Sequence, residues 1–261
     1  MSITLLPDTI LRLSGEGVYA WLDGIVTCTM PPPAKFGALL TPQGKIIADF
    51  FLFRDGETAL YLATPSKFSD DLEKRLKMFR LRAPITIERA DLKSYAIFGD
   101  EADEADMGQV DPRHPSLGRR VIAAALPATA SLDDYNAHRL SLGVVDSHFD
   151  FDTAKVFPAD VNMDLLGGVD YKKGCFVGQE VASRMKRMTI AKKRARGIIC
   201  DNVFAVGDDI MCGERVIGTV MSAQNTMGMA MIRLDRFKSA TQDPTLNGAP
   251  VQIMGSPDGA E

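Results

Sequence analysis

Residues 171–180 read Tyr171-Lys172-Lys173-Gly174-Cys175-Phe176-Val177-Gly178-Gln179-Glu180. Gly174 and Gly178 allow the backbone to turn sharply and to approach a ligand or another strand closely. From Gly178 onward Val181, Met185 and Met188 recur at i, i+4 and i+7, so the spacing predicts a helix starting there. Glu180 falls in its first turn and is placed to pair with Arg184 at i+4. Cys175 then stands just before a helix N-terminus, beside two lysines, and both features favour a thiolate. The alternative is a small buried apolar residue, the usual fate of a lone cysteine. Spacing leaves both readings open. Cys200 and Cys212 lie in alternating apolar stretches and Cys28 follows a helix end, so these three read as packing.

The surroundings of this stretch are strongly basic. Residues 172–196 hold Lys172, Lys173, Arg184, Lys186, Arg187, Lys192, Lys193, Arg194 and Arg196 against the single acid Glu180. The segment therefore carries +8, which leaves −12 for the rest of a chain whose net charge is −4. Either this is a solvated helix and linker, or it meets a polyanion such as a polyglutamate tail, a phosphate or an RNA backbone.

Moving outward, residues 9–14 read as a strand. Val18, Trp21, Leu22 and Ile25 form the stripe of a short helix. FGALL (36–40) and KIIADFFLF (45–53) flank Thr41-Pro42-Gln43-Gly44, which suits a type I turn and a hairpin. A third strand covers 59–63. Thr64 is expected to cap a helix with Pro65 in its first position, and Phe68, Leu72, Leu76 and Phe79 line one face of it. Strands are expected at 85–89 and 93–98. The acidic run from Asp100 to Asp111 reads as a solvated surface excursion. A strand at 120–126, a helix at 132–142 and a loop-rich stretch at 146–168 follow. After about residue 190, short apolar runs alternate with Gly, Asp and Asn turns, as in a small barrel or sandwich.

One acid is out of place. Asp49 interrupts an apolar strand, and a carboxylate there must be paired, at a sheet end or in a cavity. Strict alternation would set Ile47, Asp49 and Phe51 on one face. A carboxylate beside aromatics could bind an amide-like heterocycle, or protonate one if its pKa is raised. An acid at a solvent-facing strand edge is the plain alternative, and Arg139, on the helix ending at Gly143, divides in the same way.

Composition excludes several classes. At 261 residues and roughly 150 residues per domain, two or three domains are expected. Four cysteines without a C-x-x-C spacing argue against a disulfide framework, a zinc ribbon or a protein-borne Fe–S cluster. The N-terminus does not read as a signal peptide, and no apolar run approaches the ~18 residues of a membrane span. A soluble protein of a reducing compartment is expected, cytoplasmic and without a membrane partner. His114, His138 and His148 share no motif with Cys175, and neither G-x-G-x-x-G nor a Walker loop occurs, so no nucleotide site of those kinds is supported.

At residues 173–180 the chain resembles the YgfZ-type folate-binding proteins, relatives of the glycine-cleavage T-protein (aminomethyltransferase). The family signature, Lys-Gly-Cys-aromatic-x-Gly-Gln-Glu, is matched in full by Lys173 to Glu180. The resemblance extends to ALLTPQGKIIADF (38–50), YNAHRLSLGV (135–144), FPADVNMD (157–164) and VGDDIMCGERVIGTVMSA (206–223). It implies an α+β, T-protein-like fold: two mixed α/β domains and a small C-terminal β-barrel around a central cavity. The expected division is 1–35 with 127–190, then 36–126, then 191–261.

The resemblance also implies binding of tetrahydrofolate or a derivative, no stably bound metal, and a role in assembling or repairing 4Fe–4S proteins, among them enzymes of tRNA modification. Partners would be such client proteins or cluster carriers. Cys175 carries over as the functional thiol. Lys173, Gly174, Gly178, Gln179, Glu180 and Arg184 carry over as its frame and, with Asp49 and Arg139, as the cofactor-binding set. Departures are visible. The T-protein has two adjacent acids where this chain has Ala48-Asp49, Cys28 stands where Asn is common, Ser141 replaces an acid, and Asp160 replaces Glu. Two rivals remain at this level: a tetrahydrofolate-dependent aminomethyl or one-carbon transferase with Asp49 as acid or anchor, and an RNA-binding module using residues 172–196.

Overall fold

The computed structural model describes residues 1–30, 34–188 and 192–256. Strands β1 (Ser2–Leu6) and β2 (Asp8–Ser14) are followed by helix α1 (Val18–Asp23) and the hairpin β3 (Ala34–Leu40) and β4 (Ile46–Arg54). Next come β5 (Ala59–Pro65), α2 (Ser66–Arg80), β6 (Thr86–Arg89), β7 (Lys93–Phe98), β8 (Gln109–Val110), β9 (Arg119–Ala123), α3 (Leu132–Ser141) and α4 (Gln179–Met188). The last part is β10 (Lys193–Cys200), β11 (Asp209–Cys212), β12 (Arg215–Gln224), β13 (Met227–Arg233), α5 (Leu234–Lys238), β14 (Pro244–Leu246) and β15 (Ala249–Ile253).

Pairing is antiparallel throughout and gives two open sheets, ordered β1-β7-β9-β8 and β3-β4-β5-β2-β6, and a closed barrel, β10-β13-β12-β11-β14-β15. This is the α+β architecture expected. β2 lies in the hairpin sheet between β5 and β6, while β7 pairs with both β1 and β9, and β8 pairs with β9 at the sheet's edge. Register, not chain order, decides which edges meet.

The hairpin turn closes as expected, with the Gly44 amide donating to the Thr41 carbonyl at 2.8 Å. Strand β4 departs from simple alternation. Leu39 pairs with Ala48 but Leu40 with Ile46, so a bulge adds a residue there. Ile47 consequently packs with Phe50 and Leu52 under α2, whereas Phe51 and Phe53 face the opposite core. Ile47 and Phe51 do not share a face.

Helix α2 buries Phe68, Leu72 and Leu76 against Leu11, Leu13, Leu60 and Leu62, about 1.5–3 kcal/mol for each large side chain removed from water. Phe79, expected on that face, is 37% exposed. The helix also begins differently. β5 continues through Pro65, and the buried Thr64 hydroxyl donates to the Asp49 carbonyl at 2.9 Å instead of capping. Helix α3 is closed by a capping box in which Ser131 and Asp134 bond reciprocally.

The barrel docks on the body through side chains. Asn136 on α3 donates to Gln224 at 2.6 Å, Ser222 donates to Asp150 at 2.5 Å, and Asn162 donates to the Ala195 carbonyl at 2.8 Å. Between the three parts lies one apolar cluster that includes Phe36, Phe51, Val161, Met163, Phe176 and Met229.

Candidate functional site

Four cysteines are free, and only Cys175 is exposed. Burial pushes the Cys28 thiol up to about 12, so it stays protonated. Cys200 and Cys212 lie in the barrel core, as packing.

The loop carrying Cys175 is pinned on both sides. Before it, the Asp170 amide donates to the Thr27 carbonyl at 2.8 Å, and Thr29 donates to the Asp170 carboxylate. That bond and the Lys172 amide hold the Asp170 carboxyl below its usual range. Lys173, with 2% of its side chain exposed, donates to the carbonyls of Val26 at 2.9 Å and Cys28 at 2.7 Å. Its ammonium lies 3.2 Å from Asp23 at the end of α1. Phe176 is buried in the central cluster.

After Cys175, Gly178 sits at φ +78, and a Cβ there would stand 2.5 Å from the Thr41 carbonyl oxygen. Only glycine allows α4 to start so close to the hairpin turn. Gly174 differs: a Cβ there would meet nothing within 4 Å, so no close approach demands glycine. Gln179 reaches back to the Gly174 carbonyl at 3.3 Å. Glu180 and Arg184 are both exposed and form no ion pair with each other; the bond expected along α4 is not made.

The basic run is partly neutralised. Besides Lys173, Lys193 pairs with Asp160 at 3.2 Å and Arg194 with Asp164 at 2.8 Å. Lys186 lies over the Tyr171 ring, 3.9 Å from its centroid. Lys172, Arg184 and Lys192 remain exposed, and the Arg187 side chain lies outside the described residues.

Asp49 and Arg139 belong to a second region, built on residues 146–150. Arg139 is fully buried and makes a two-point pair with Asp150, at 2.5 and 3.0 Å. Its other donors reach Asn136 at 2.7 Å and the Val144 carbonyl at 3.2 Å. Asp150 also takes the Asp146 amide and the Ser222 hydroxyl. Arg139 is thus a clamp joining α3, the loop and the barrel.

Asp49 accepts from the Ser147 hydroxyl at 2.5 Å. Burial lifts its carboxyl to about 6, although that bond opposes the rise. His148 and Arg113 lower it only in part, because both are already engaged by other acids. Asp8, Asp111 and Asp146 face Arg113, Arg120 and His148 in a buried network, three against three. Arg113 bonds Asp111 and Asp146 at 2.9 Å each, Arg120 bonds Asp111 at 3.0 Å, and both arginines donate to Tyr135 at 2.8 Å. His148 lies 2.6 Å from Asp146 and 2.7 Å from Asp8. The two carboxylates lift it to about 10 against the cost of burial, so the ring is an imidazolium. Asp49 is the fourth acid among three cations.

Sequence spacing does not reveal this network. Asp111, read as part of a solvated run, is 3% exposed; it ends the run by entering the core to meet two arginines. No histidine serves Cys175: His138 meets the Ser116 carbonyl and His114 the Ser116 amide. The only signal available was the density of acids in Asp146-Ser-His-Phe-Asp150 beside Asp111-Pro-Arg113, which spacing could not pair.

The eight residues expected to bind a cofactor fall into two sets of contacts. Asp49 and Arg139 meet the 146–150 loop, Lys173 is spent on α1, and Glu180 and Arg184 stand in solvent. Among the described residues no group of three or more His, Cys, Asp or Glu could hold a metal ion.

Comparison with known proteins is consistent with this architecture. Residues 188–256 match the family model described as CAF17, C-terminal beta-barrel domain. A mitochondrial iron–sulfur cluster assembly factor IBA57 homologue of Mycosarcoma maydis is 31% identical over 209 residues, covering 72% of this chain and 52% of its own length. The chain thus spans about half of that relative. The human mitochondrial assembly factor IBA57 is 24% identical over 95% of this chain and 82% of its own. Among solved structures, the glycine cleavage system aminomethyltransferase T of Bartonella henselae superposes with a TM-score of 0.76 over 98% of this chain and 86% of that one. At 12% identity this is a likeness of fold.

Proposed function

We propose that this chain, whose barrel matches the CAF17 C-terminal domain and whose relatives include IBA57 iron–sulfur cluster assembly factors on a T-protein-like fold, is a member of that family and assists the assembly or repair of 4Fe–4S proteins through Cys175. The observation that carries this reading is the contrast among its thiols: three are buried, and the fourth is exposed on a loop held by Asp170, Lys173, Phe176 and Gly178. A cysteine sulfur presented on a fixed loop can give up its proton on entering the coordination sphere of a cluster carried by a partner and take one back on leaving it, with the cluster as cargo. Clients would include the 4Fe–4S enzymes of tRNA modification, and the compartment a reducing one, the cytosol.

Tetrahydrofolate binding is the finer part of the proposal. It rests on the likeness of fold and, among the expected residues, on Asp49 alone, because Arg139 and Lys173 have their donors engaged inside the protein. No step of the proposed role passes through folate. The transferase reading is weaker here, since Asp49 is 6% exposed and covered by Ser147. An RNA role loses force because Lys173, Lys193 and Arg194 are paired with acids.

Complementation of a strain lacking the gene tests the role. The wild-type chain is expected to restore 4Fe–4S enzyme activity and Cys175→Ala to fail at equal protein level. Full rescue by the alanine variant would remove the thiol from the mechanism. Calorimetric titration with tetrahydrofolate, on wild type and Asp49→Asn, tests the finer part, and absence of heat with the wild type would end it.

A further inference from the structure

The end of α2 carries a second cationic stretch. Residues 74–87 hold Lys74, Arg75, Lys77, Arg80 and Arg82 and no acid. Arg75 and Lys77 are engaged along the helix by Asp71 at 3.0 Å and Glu73 at 2.6 Å. Lys74, Arg80 and Arg82 are exposed and enter no ion pair among the described residues. Between these cations stand apolar side chains: Met78 is 63% exposed, Leu81 85% and Phe79 37%. Leu81 is held at φ 47, ψ −110, a conformation that a residue with a bulky side chain adopts at a cost. Trp21, the single tryptophan of the chain, donates from Nε1 to the Phe79 carbonyl at 3.3 Å and so marks the same tip.

A helix C-terminus by itself accounts for the cations, which complement its dipole. It does not account for three solvent-facing apolar side chains, which water penalises. Exposed apolar side chains interleaved with cations along the helix end, with an indole beside them, match the interface of a negatively charged bilayer: hydrocarbon just below a layer of phosphates. A protein partner would have to supply a matching acidic cleft, whereas a lipid surface moulds itself to the tip.

We propose that this tip docks on an anionic phospholipid surface. Met78, Phe79 and Leu81 enter the headgroup region while Lys74, Arg80 and Arg82 meet lipid phosphates. The contact proposed is peripheral; among the described residues no helix is long and apolar enough to cross a membrane. It departs from the expectation of a protein without a membrane partner, and it is independent of Cys175.

Trp21 supplies the readout. The full chain is mixed with vesicles of phosphatidylglycerol and phosphatidylcholine in equal parts, and with phosphatidylcholine alone. Trp21 emission is expected to shift to the blue and to be quenched by brominated lipid in the anionic vesicles only. Binding should weaken by about tenfold or more as NaCl rises from about 50 to 500 mM. Leu81→Asp, and separately Arg80→Glu with Arg82→Glu, should each weaken it about tenfold or more. No shift with anionic vesicles overturns the proposal, as does equal, salt-insensitive binding to phosphatidylcholine. Co-sedimentation without quenching of Trp21 also overturns it, because another face would then be the one in contact. The wild-type quenching decides the matter even if a variant folds poorly.

Discussion

The ammonium group of Lys173 lies 2.7 Å from the carbonyl oxygen of Cys28 and donates to it, so the residue two before the exposed thiol is anchored on the segment that follows α1. Lys173→Met would leave the Val26 and Cys28 carbonyls without that donor and Asp23 without its ion pair. A loss of about 1–3 kcal/mol is expected, measured by urea unfolding. An unchanged midpoint would mean that Lys173 holds nothing.

Arg139 makes the matching test in the second region. Breaking its buried pair by Arg139→Ala should cost about 3–5 kcal/mol, because Asp150 is then left as an uncompensated charge. Adding Asp150→Ala should recover part of that loss. Strictly additive costs in the double-mutant cycle would contradict the clamp.

Asp49 predicts a pH dependence of definite sign. Its folded carboxyl titrates at about 6, above the ordinary aspartate value of 3.8, so the folded state favours the proton. The stability this contributes is fully present below about pH 4 and is lost as pH rises through about 6. Asp49→Asn keeps an acceptor for Ser147 and cannot ionise. It should stabilise the protein relative to wild type at pH 8, by an amount up to about 3 kcal/mol, and much less at pH 4. Equal thermal shifts at the two pH values would refute the assignment.

His148 acts over a higher window. Its folded value is raised from 6.5 to about 10 by Asp146 and Asp8. Its contribution is fully present below about pH 6.5 and is lost as pH climbs through about 10. The stability gap between wild type and His148→Gln should therefore be widest near pH 6 and narrow steadily above pH 7. A gap that grows with pH would show that the ring is neutral.

Thiol chemistry separates Cys175 from its three companions. Native protein should show one fast equivalent in reaction with a disulfide reagent, and four after unfolding. Cys175→Ser should abolish the fast phase with no loss of stability, because the side chain is exposed. Persistence of the fast phase would assign it to another cysteine.

Local pattern carried much of the fold. The turn at Thr41–Gly44, the Phe68, Leu72 and Leu76 stripe of α2, the start of α4 after Gly178 and the strand-rich tail all follow from periodicity and turn chemistry, which act between residues a few positions apart. The one motif with a specific meaning, Lys173 to Glu180, likewise lies on a continuous stretch, so the candidate thiol was legible in the sequence. Tertiary structure decided the rest. Asp111 and Arg113 find Asp146, Asp8 finds His148 across 140 positions, and Asp49 finds Ser147 across 98. No local rule assigns such partners, because the cost of burying a charge is met by whichever opposite charge the packing brings near. The same cause joins Arg139 to Asp150 and Lys173 to Asp23 and to the carbonyls that follow α1, and it left Cys175 as the one cysteine that the fold does not enclose.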